Sequence, residues 1–582
     1  MKQKYRKRKM RGSYIGKGRI IDHYLAPREL YNYIWSQTEY LNFPDAPEEY
    51  IELREKCHRL LAHLYASMRL QIIKRDLSDE QRDYVPLYCR LREREFGRDF
   101  KREDLKLMEI IDIKPHNTAG HKAEEYKLKD EIFNEALRIE KADIFGKWEQ
   151  MLKGKEIKGS TMVDLLTGKR KSSVVKSKYT KRQGAERDAN TPKLIGRSIS
   201  SLEPCPFNPK YIYNWVIRLQ RKYNRERDRL NEIREKYGNE GKEFEFAERE
   251  FLRAQGKFHN ELTSMRAILN QKPKRLPHNS DAGEPLYEYK AAYSVQTSGR
   301  ISEVHGGFQS ASRYFKRAFF REMRGWWINH DLQNSQVNIL LQEMKACSIE
   351  CPWLEAYLSD PEAKKKYARK VGVPVDVWKK CFYSIFMGAS VENEFGAVFK
   401  QLRKHFVNDI EKTRNAHIRF LEITAELNTA TEEWRNYVYS TKNRRYHYQY
   451  RGIKYWKNAC KRHFHKYGIK TSDNGERILI DREKKDTEIK YTQGINKCKR
   501  KLAAFILQGR EAFFIHNLTL LCSEYKIPVY KNEHDGLITG KEIPETIIQM
   551  AGEMSGLVNP VLKRKPICSK VTRRRMKQYV KS

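Results

Sequence analysis

Any fold this chain adopts must accommodate forty more cationic than anionic side chains, with Lys and Arg totalling 115 against 75 Asp and Glu. Packed together, such an excess repels itself unless a polyanion is bound or close by. Nucleic acid meets that requirement best, because each phosphate neutralised by a side chain releases a counterion and adds affinity. The 34 tyrosines suit the same partner, since rings set among cations can stack on bases while the cations hold phosphates. No membrane is expected as a partner: there is no long apolar run or signal-like segment, and mean hydropathy is -0.82. Ten cysteines are scattered without a CxxC pair, Cys347 and Cys351 being the closest. That usage predicts a reducing intracellular compartment, the cytoplasm in a prokaryotic setting, and no zinc ribbon.

At 582 residues the chain needs more than one core, since single cores seldom grow past roughly 250–300 residues. Residues 1–140 read as a mostly helical, winged-helix-like unit, with helical periodicity from Asp83 to Tyr126. Residues 141–204, with runs such as TGKRKSSVVKSKYTKRQG, read as an exposed basic connector, either a plain solvated linker or a strap tracking nucleic acid. Residues 205–285 hold two long charged helical patterns interrupted at Gly238-Asn239-Glu240-Gly241, which predicts an antiparallel helical pair. Residues 286–345 become strand-like and Trp-rich. The segment 346–505 is mixed and basic, and 506–582 reads as a helix, a hairpin and a basic tail.

Two acidic residues stand where chemistry could be carried. Trp326 to His330 reads as a buried strand with Asp331 at its end, followed by helical spacing at Val337, Leu340 and Leu341. Asp535 lies in His534-Asp535-Gly536, between two strand-like runs, where glycine permits a tight hairpin. Carboxylates held at strand ends can bind a pair of divalent ions for phosphoryl transfer. Each also has a plain reading, Asp331 as a helix N-cap and Asp535 as an ordinary Asp-Gly turn residue.

The surrounding segments resemble those of family A DNA polymerases, in order. Thr297-Ser298-Gly299-Arg300-Ile301-Ser302 is similar to the family's T-G-R-L-S, and Phe308-Gln309-Ser310 to its L-Q-N. Arg317-Ala318-Phe319 and Gly325-Trp326 then lead into Asp331 as R-A-F…G-W…D does. Gln508-Gly509-Arg510-Glu511-Ala512 resembles Q-G-x-A-A, and Glu533-His534-Asp535 resembles V-H-D. Between them, Trp378 to Gly388 resembles the nucleotide-binding helix of motif B.

The resemblance implies an α+β right-hand polymerase with an antiparallel palm sheet, helical thumb and fingers, and the amino-terminal domain added. On that plan 205–285 is the thumb, 286–345 and 506–582 are the two parts of the palm, and 346–505 holds the fingers with a basic insertion. It implies a metal site at Asp331, Leu332 and Asp535 for two Mg²⁺, with Mn²⁺ as an alternative. It also implies a nucleotide site of Lys379, Lys380, Tyr383, Met387, Gly388 and Gln336. Arg300, Gln309, Gln508 and His534 would follow the minor groove of a primer–template, whose degenerate acceptor pattern suits an enzyme that copies any sequence. The activity implied is template-directed synthesis from nucleoside triphosphates, as a DNA polymerase of a virus, plasmid or mobile element.

The chain departs from the family pattern at several positions. After Asp331, counting along Leu332-Gln333-Asn334-Ser335-Gln336 puts Gln336 at the position of the Glu that excludes a ribose 2′-hydroxyl; aligning the Ser-Gln pair puts Asn338 there instead. Motif C ends in Gly536 rather than Glu. In motif B, Met387 replaces Tyr and Val375 replaces Arg, with Arg369 or Lys370 as substitutes. Single-subunit, bacteriophage-type RNA polymerases also lack both Glu residues, so such an enzyme, or a primase-like one, is the second reading. A non-catalytic nucleic-acid-binding protein on a polymerase scaffold is the third. No D-x-E pattern precedes residue 286, so no family A proofreading exonuclease is expected.

Overall fold

Helices dominate, and every strand pairing among the described residues is antiparallel. The computed structural model describes residues 24–41, 47–74, 85–88, 106–114, 123–157, 162–169, 192–303, 308–309, 311–321, 327–386, 388–389, 391–394, 396–407, 409–440, 445–450, 453–465, 468–471, 477–480 and 488–565. No helix among them is long and apolar enough to cross a membrane.

In the amino-terminal part, the helix Pro47–Lys74 buries Leu60, Leu61, Leu64 and Tyr65. It packs near a three-stranded sheet in which Ala123–Leu128 lies between Val85–Tyr88 and Ile111–Lys114. The helical periodicity of Asp83 to Tyr126 is therefore not realised in its described parts. Val85 faces Tyr126 across the ladder and both are buried, so pairing of a β-branched with an aromatic side chain decides the local structure.

The helix Asp130–Leu152, α1, corrects the reading of 141–204 as an exposed connector. Its first half, Phe133 to Leu137, joins the amino-terminal core, while Ile144, Trp148 and Met151 join a second core with Phe207, Trp215 and Phe258. The strand Met162–Asp164 pairs with Leu25–Pro27, and the helix Lys193–Ser200 buries Ile195 and Ile199. Apolar side chains at helical spacing outweigh the basic composition here; the runs of Lys and Ser between 170 and 191 lie outside the described residues.

Next come the predicted helical pair, α2 (Pro209–Tyr237) and α3 (Lys242–Asn270). Gly238 and Gly241 take φ of 77° and 101°, which glycine alone tolerates without strain, and this turns the chain between them. Hairpin β1 (Tyr293–Val295) and β2 (Ile301–Glu303) follows. Strand β3 (Ile328–Leu332) leads to helix α4 (Ser335–Lys345), and then to α5 (Val375–Phe386) and the 30-residue α6 (Ile410–Tyr439). Strands β4 (Ile453–Lys457) and β5 (His463–His465) precede α7 (Tyr491–Glu524), which begins well before residue 506. The described residues end with β6 (Val529–Asn532), β7 (Gly536–Thr539), α8 (Glu545–Ser555) and β8 (Leu562–Lys565). The sequence reading of hairpin then tail omitted α8 and β8.

Strands β6, β7, β3 and β8 form one sheet in that order. Behind it lies the largest core, where Val337 and Leu340 of α4, Trp378 and Phe382 of α5, Phe420 and Trp434 of α6, and Ile506 and Leu518 of α7 meet.

A buried charge joins the amino-terminal unit to the rest. Glu140 of α1 has no exposed surface and accepts hydrogen bonds from Tyr24 Oη (2.9 Å), Tyr65 Oη (2.7 Å) and Arg69 Nε (3.1 Å), as well as from Arg266 of α3. Burial alone would raise its pKa, but Arg266 and Arg69 outweigh it and hold the carboxyl at about 2. Glu140→Ala should cost about 3–5 kcal/mol in denaturant unfolding, because it strands two buried guanidinium groups. Since the folded pKa lies below the ordinary 4.5, the ionised group's stabilisation is complete above about pH 4.5 and disappears as pH falls towards 2. Acid titration of stability should therefore be flatter over that window in Glu140→Gln than in the wild type.

Candidate active site

Strand alternation sets the first carboxylate. Ile328, His330 and Leu332 are buried on one face of β3, leaving Asn329 and Asp331 half-buried on the other. Asp331 does not follow the strand, as its sequence suggested, but lies within it, facing Gly536 of β7 on one side and Lys563 of β8 on the other. The N-cap position of α4 belongs to Asn334, at φ 49°, so Asp331 is not the helix cap.

The second carboxylate sits at the tip of the β6–β7 hairpin. Here the structure corrects the role given to glycine: His534 takes the positive φ (71°), whereas Gly536 is required for contact. A Cβ at Gly536 would collide with the His330 carbonyl oxygen and approach Asp331 Cα at 3.2 Å. The Leu332 N–H then donates to the Asp535 carbonyl (2.8 Å), carrying the ladder past Gly536. Asp331 and Asp535 thus occupy adjacent rungs of neighbouring strands, whose facing Cα atoms lie about 4.5–5.5 Å apart in antiparallel pairs.

A third acid, missed in the sequence, lies beside them. Glu511 of α7 is fully buried and accepts from Ser335 Oγ (2.7 Å) and Arg300 Nη2 (2.6 Å). Burial raises its pKa, Arg300 and Ser335 pull it back, and Asp535 adds a further push upward. The signal was present: Glu511 stands where the Q-G-x-A-A pattern has an apolar alanine. Tyr383 of α5 shares this space, since its phenol is raised by burial first and then by the fields of Asp535, Glu511 and Asp331. Lys379, half-buried one turn earlier, shares the Tyr383 face, whereas Lys380 is exposed.

Three of the four residues assigned to the duplex cluster at the hairpin. Gln309 Nε2 donates to the Asn532 carbonyl (3.0 Å) and lies 3.5 Å from His534 Nδ1, while its Oε1 accepts from the Glu303 N–H (3.0 Å). Much of its amide is therefore committed to bracing β2 against β6. The His534 pKa is lowered by burial, then by Arg300 and Lys316 nearby. Gln508 is half-buried on α7, three residues before Glu511.

The remaining expected residues are less connected. Gln336 is half-buried in the first turn of α4. The Leu332 side chain is buried, so it offers only its main-chain carbonyl as a ligand. Gly388, at φ 65°, ends α5 beneath Arg500 and Arg435, and Arg435 Nη1 donates to the Ile385 carbonyl (3.0 Å). That glycine is explained by helix termination. Met387 lies outside the described residues. Arg369 and Lys370 are exposed on the helix Ala363–Val371.

The donor set tests what ion would fit. Among the described residues no group of three or more His, Cys, Asp or Glu is arranged as a metal cage. Two half-exposed carboxylates supply hard oxygen ligands and leave most of a coordination shell to water and substrate phosphate, which suits Mg²⁺.

No family model and no curated protein matches the chain. Among solved structures it is similar to the POL domain of Pol1 from M. smegmatis, in complex with DNA primer-template and dNTP. The identity is 12% and the TM-score 0.40, over 64% of this chain and 68% of that one.

Gly536→Ala should destabilise the protein by about 1–3 kcal/mol or more in chemical denaturation, because the new methyl group must push β7 off β3.

Proposed function

We propose that this chain is a template-directed nucleotidyl transferase of the polymerase type, extending a DNA primer. The observation that carries this reading is the β3–β7 ladder, which joins Asp331 to the turn bearing Asp535 and leaves both carboxylate residues half-buried. Bound between those carboxylates and the Leu332 carbonyl, two Mg²⁺ ions would activate the primer 3′ oxygen and neutralise the leaving pyrophosphate. Lys379 neutralises triphosphate charge, with Lys380 as its exposed rival, and Tyr383 packs against the base or sugar. Arg300, Gln309, Gln508 and His534 lie along the duplex, while α2 and α3 serve as the thumb. Glu511 and Ser335 keep Arg300 and the start of α4 in place around the two aspartates.

A second reading, synthesis from ribonucleotides, is favoured by one observation: neither Gln336 nor Asn338 supplies the acidic group that excludes a 2′-hydroxyl.

Primer-extension assays with DNA or RNA templates, crossed with dNTPs or NTPs, test both. Asp331→Ala and Asp535→Ala should each lower incorporation by about three orders of magnitude, as expected when several kcal/mol of transition-state stabilisation are removed. Undiminished synthesis by either variant overturns the assignment, and a strong NTP preference replaces the first reading with the second.

A further inference from the structure

The segment between 400 and 495, which no motif accounts for, delivers a turn against the segments that carry Arg300 and Gln508. Residues 458–462 join β4 to β5, with the Lys461 N–H donating to the Asn458 carbonyl (2.9 Å). Asn458 is 6% exposed and Cys460 2%, so these two side chains plug into the core while Lys461 stays at the surface. The Asn458 side chain reaches two segments that are distant in sequence. Its Nδ2 donates to the Ser298 carbonyl (2.7 Å), in the turn before Arg300, and to the Phe505 carbonyl (3.2 Å), one turn before Gln508 on α7. Its Oδ1 accepts from the Arg462 N–H (3.1 Å), which makes the amide rigid.

Two glycines make room for this plug. A Cβ at Gly299 would lie 2.7 Å from Cys460 Cβ, and one at Gly509 would collide with the Asn458 amide. The sulfur of Cys460 also lies 3.3 Å from the Gly509 carbonyl. On the far side, His516 Nε2 lies 3.0 Å from the Gly299 carbonyl, so the turn carrying Arg300 is gripped from both directions. The next residue, Arg300, engages Glu511 through Nη2, yet its buried Nε has no hydrogen-bond partner. The Nε of Arg462, at the other end of the plug, likewise has none. Buried guanidinium N–H groups without partners are costly.

We propose that Asn458 is a positioning residue for primer–template binding. Its amide fixes the spacing between the turn that presents Arg300 and the helix that presents Gln508, so that both meet one duplex. This inference rests on the polymerase reading and adds to it a role for a segment without a recognised motif. An apolar side chain of similar size could fill the space, but it could not tie two carbonyl groups to one set distance.

The test uses the full chain, a fluorescent primer–template and anisotropy at fixed salt, alongside steady-state kinetics and thermal melting. Asn458→Ala should weaken primer–template binding about tenfold while changing the KM for the nucleotide less than about twofold, because Lys379 and Tyr383 on α5 are untouched. Since Asn458 acts through Arg300, the double variant Asn458→Ala/Arg300→Ala should bind no more than about twofold more weakly than Arg300→Ala alone. Should the alanine variant fail to fold, Asn458→Ser is read by the same criteria, its hydroxyl being too short to reach both carbonyls. Unchanged primer–template affinity in a folded variant, losses that multiply in the double variant, or an equal loss of nucleotide affinity overturns the positioning role. A wild-type protein that neither binds nor extends the primer–template sinks the polymerase reading itself.

Discussion

The contact between β3 and the tip of the β6–β7 hairpin is the constraint on which the site depends. Main-chain atoms approach so closely at Gly536 that no side chain fits, and the Leu332 N–H closes the gap onto the Asp535 carbonyl. Backbone pairing, rather than side-chain flexibility, thus fixes how near Asp331 and Asp535 come. The residue after Asp535 must therefore be glycine: a Glu at that position is incompatible with the contact. The acidic group reaching this region from elsewhere is Glu511, on a different element.

Charge management follows a consistent pattern. Although cations are in large excess, the buried carboxylates are the points where separate parts of the fold are joined. Glu140 ties the amino-terminal unit to α3 through Arg266, and Glu511 ties α7 to Arg300 and Ser335. Glu303 lies 3.4 Å from Lys531 beneath the hairpin, with Lys531 3.9 Å from the centre of the Tyr289 ring. A buried carboxylate with two or more strong donors is costly to expose or leave unpaired, so such links hold elements in one arrangement. The unneutralised cations are left mainly for the surface, where a polyanion can meet them.

Parts of this organisation could be read directly from the sequence. The helical pair from Pro209 to Asn270 and the hairpin around Asp535 follow from local patterning and turn residues, while the helix Val375–Phe386 is expected from the resemblance of Trp378 to Gly388 to a helical motif. Other readings failed for identifiable reasons. The stretch from Asp83 to Tyr126 has helical spacing, yet Val85 and Tyr126 gain more from facing one another in a sheet. The supposed connector after residue 140 is basic in composition, but Trp148 and Met151 recur at helical intervals and are drawn into a core. Composition describes a segment's average, whereas burial depends on where its few apolar residues fall.

The sequence alone singled out candidates for chemistry: two aspartates in strand-like contexts, an ordered series of segments resembling known motifs, and a charge excess calling for a polyanion. It could not determine which of those residues meet. Glu511 and Ser335 are 176 residues apart, and Asn458 and Ser298 are 160 apart. Pairings over such separations leave no local periodicity, because they arise only when independent helices and strands close around shared hydrogen bonds. Tertiary structure therefore decided that Gly536 is a contact residue, that Gln309 braces a hairpin, and that a turn from an unmatched segment lies between Gly299 and Gly509.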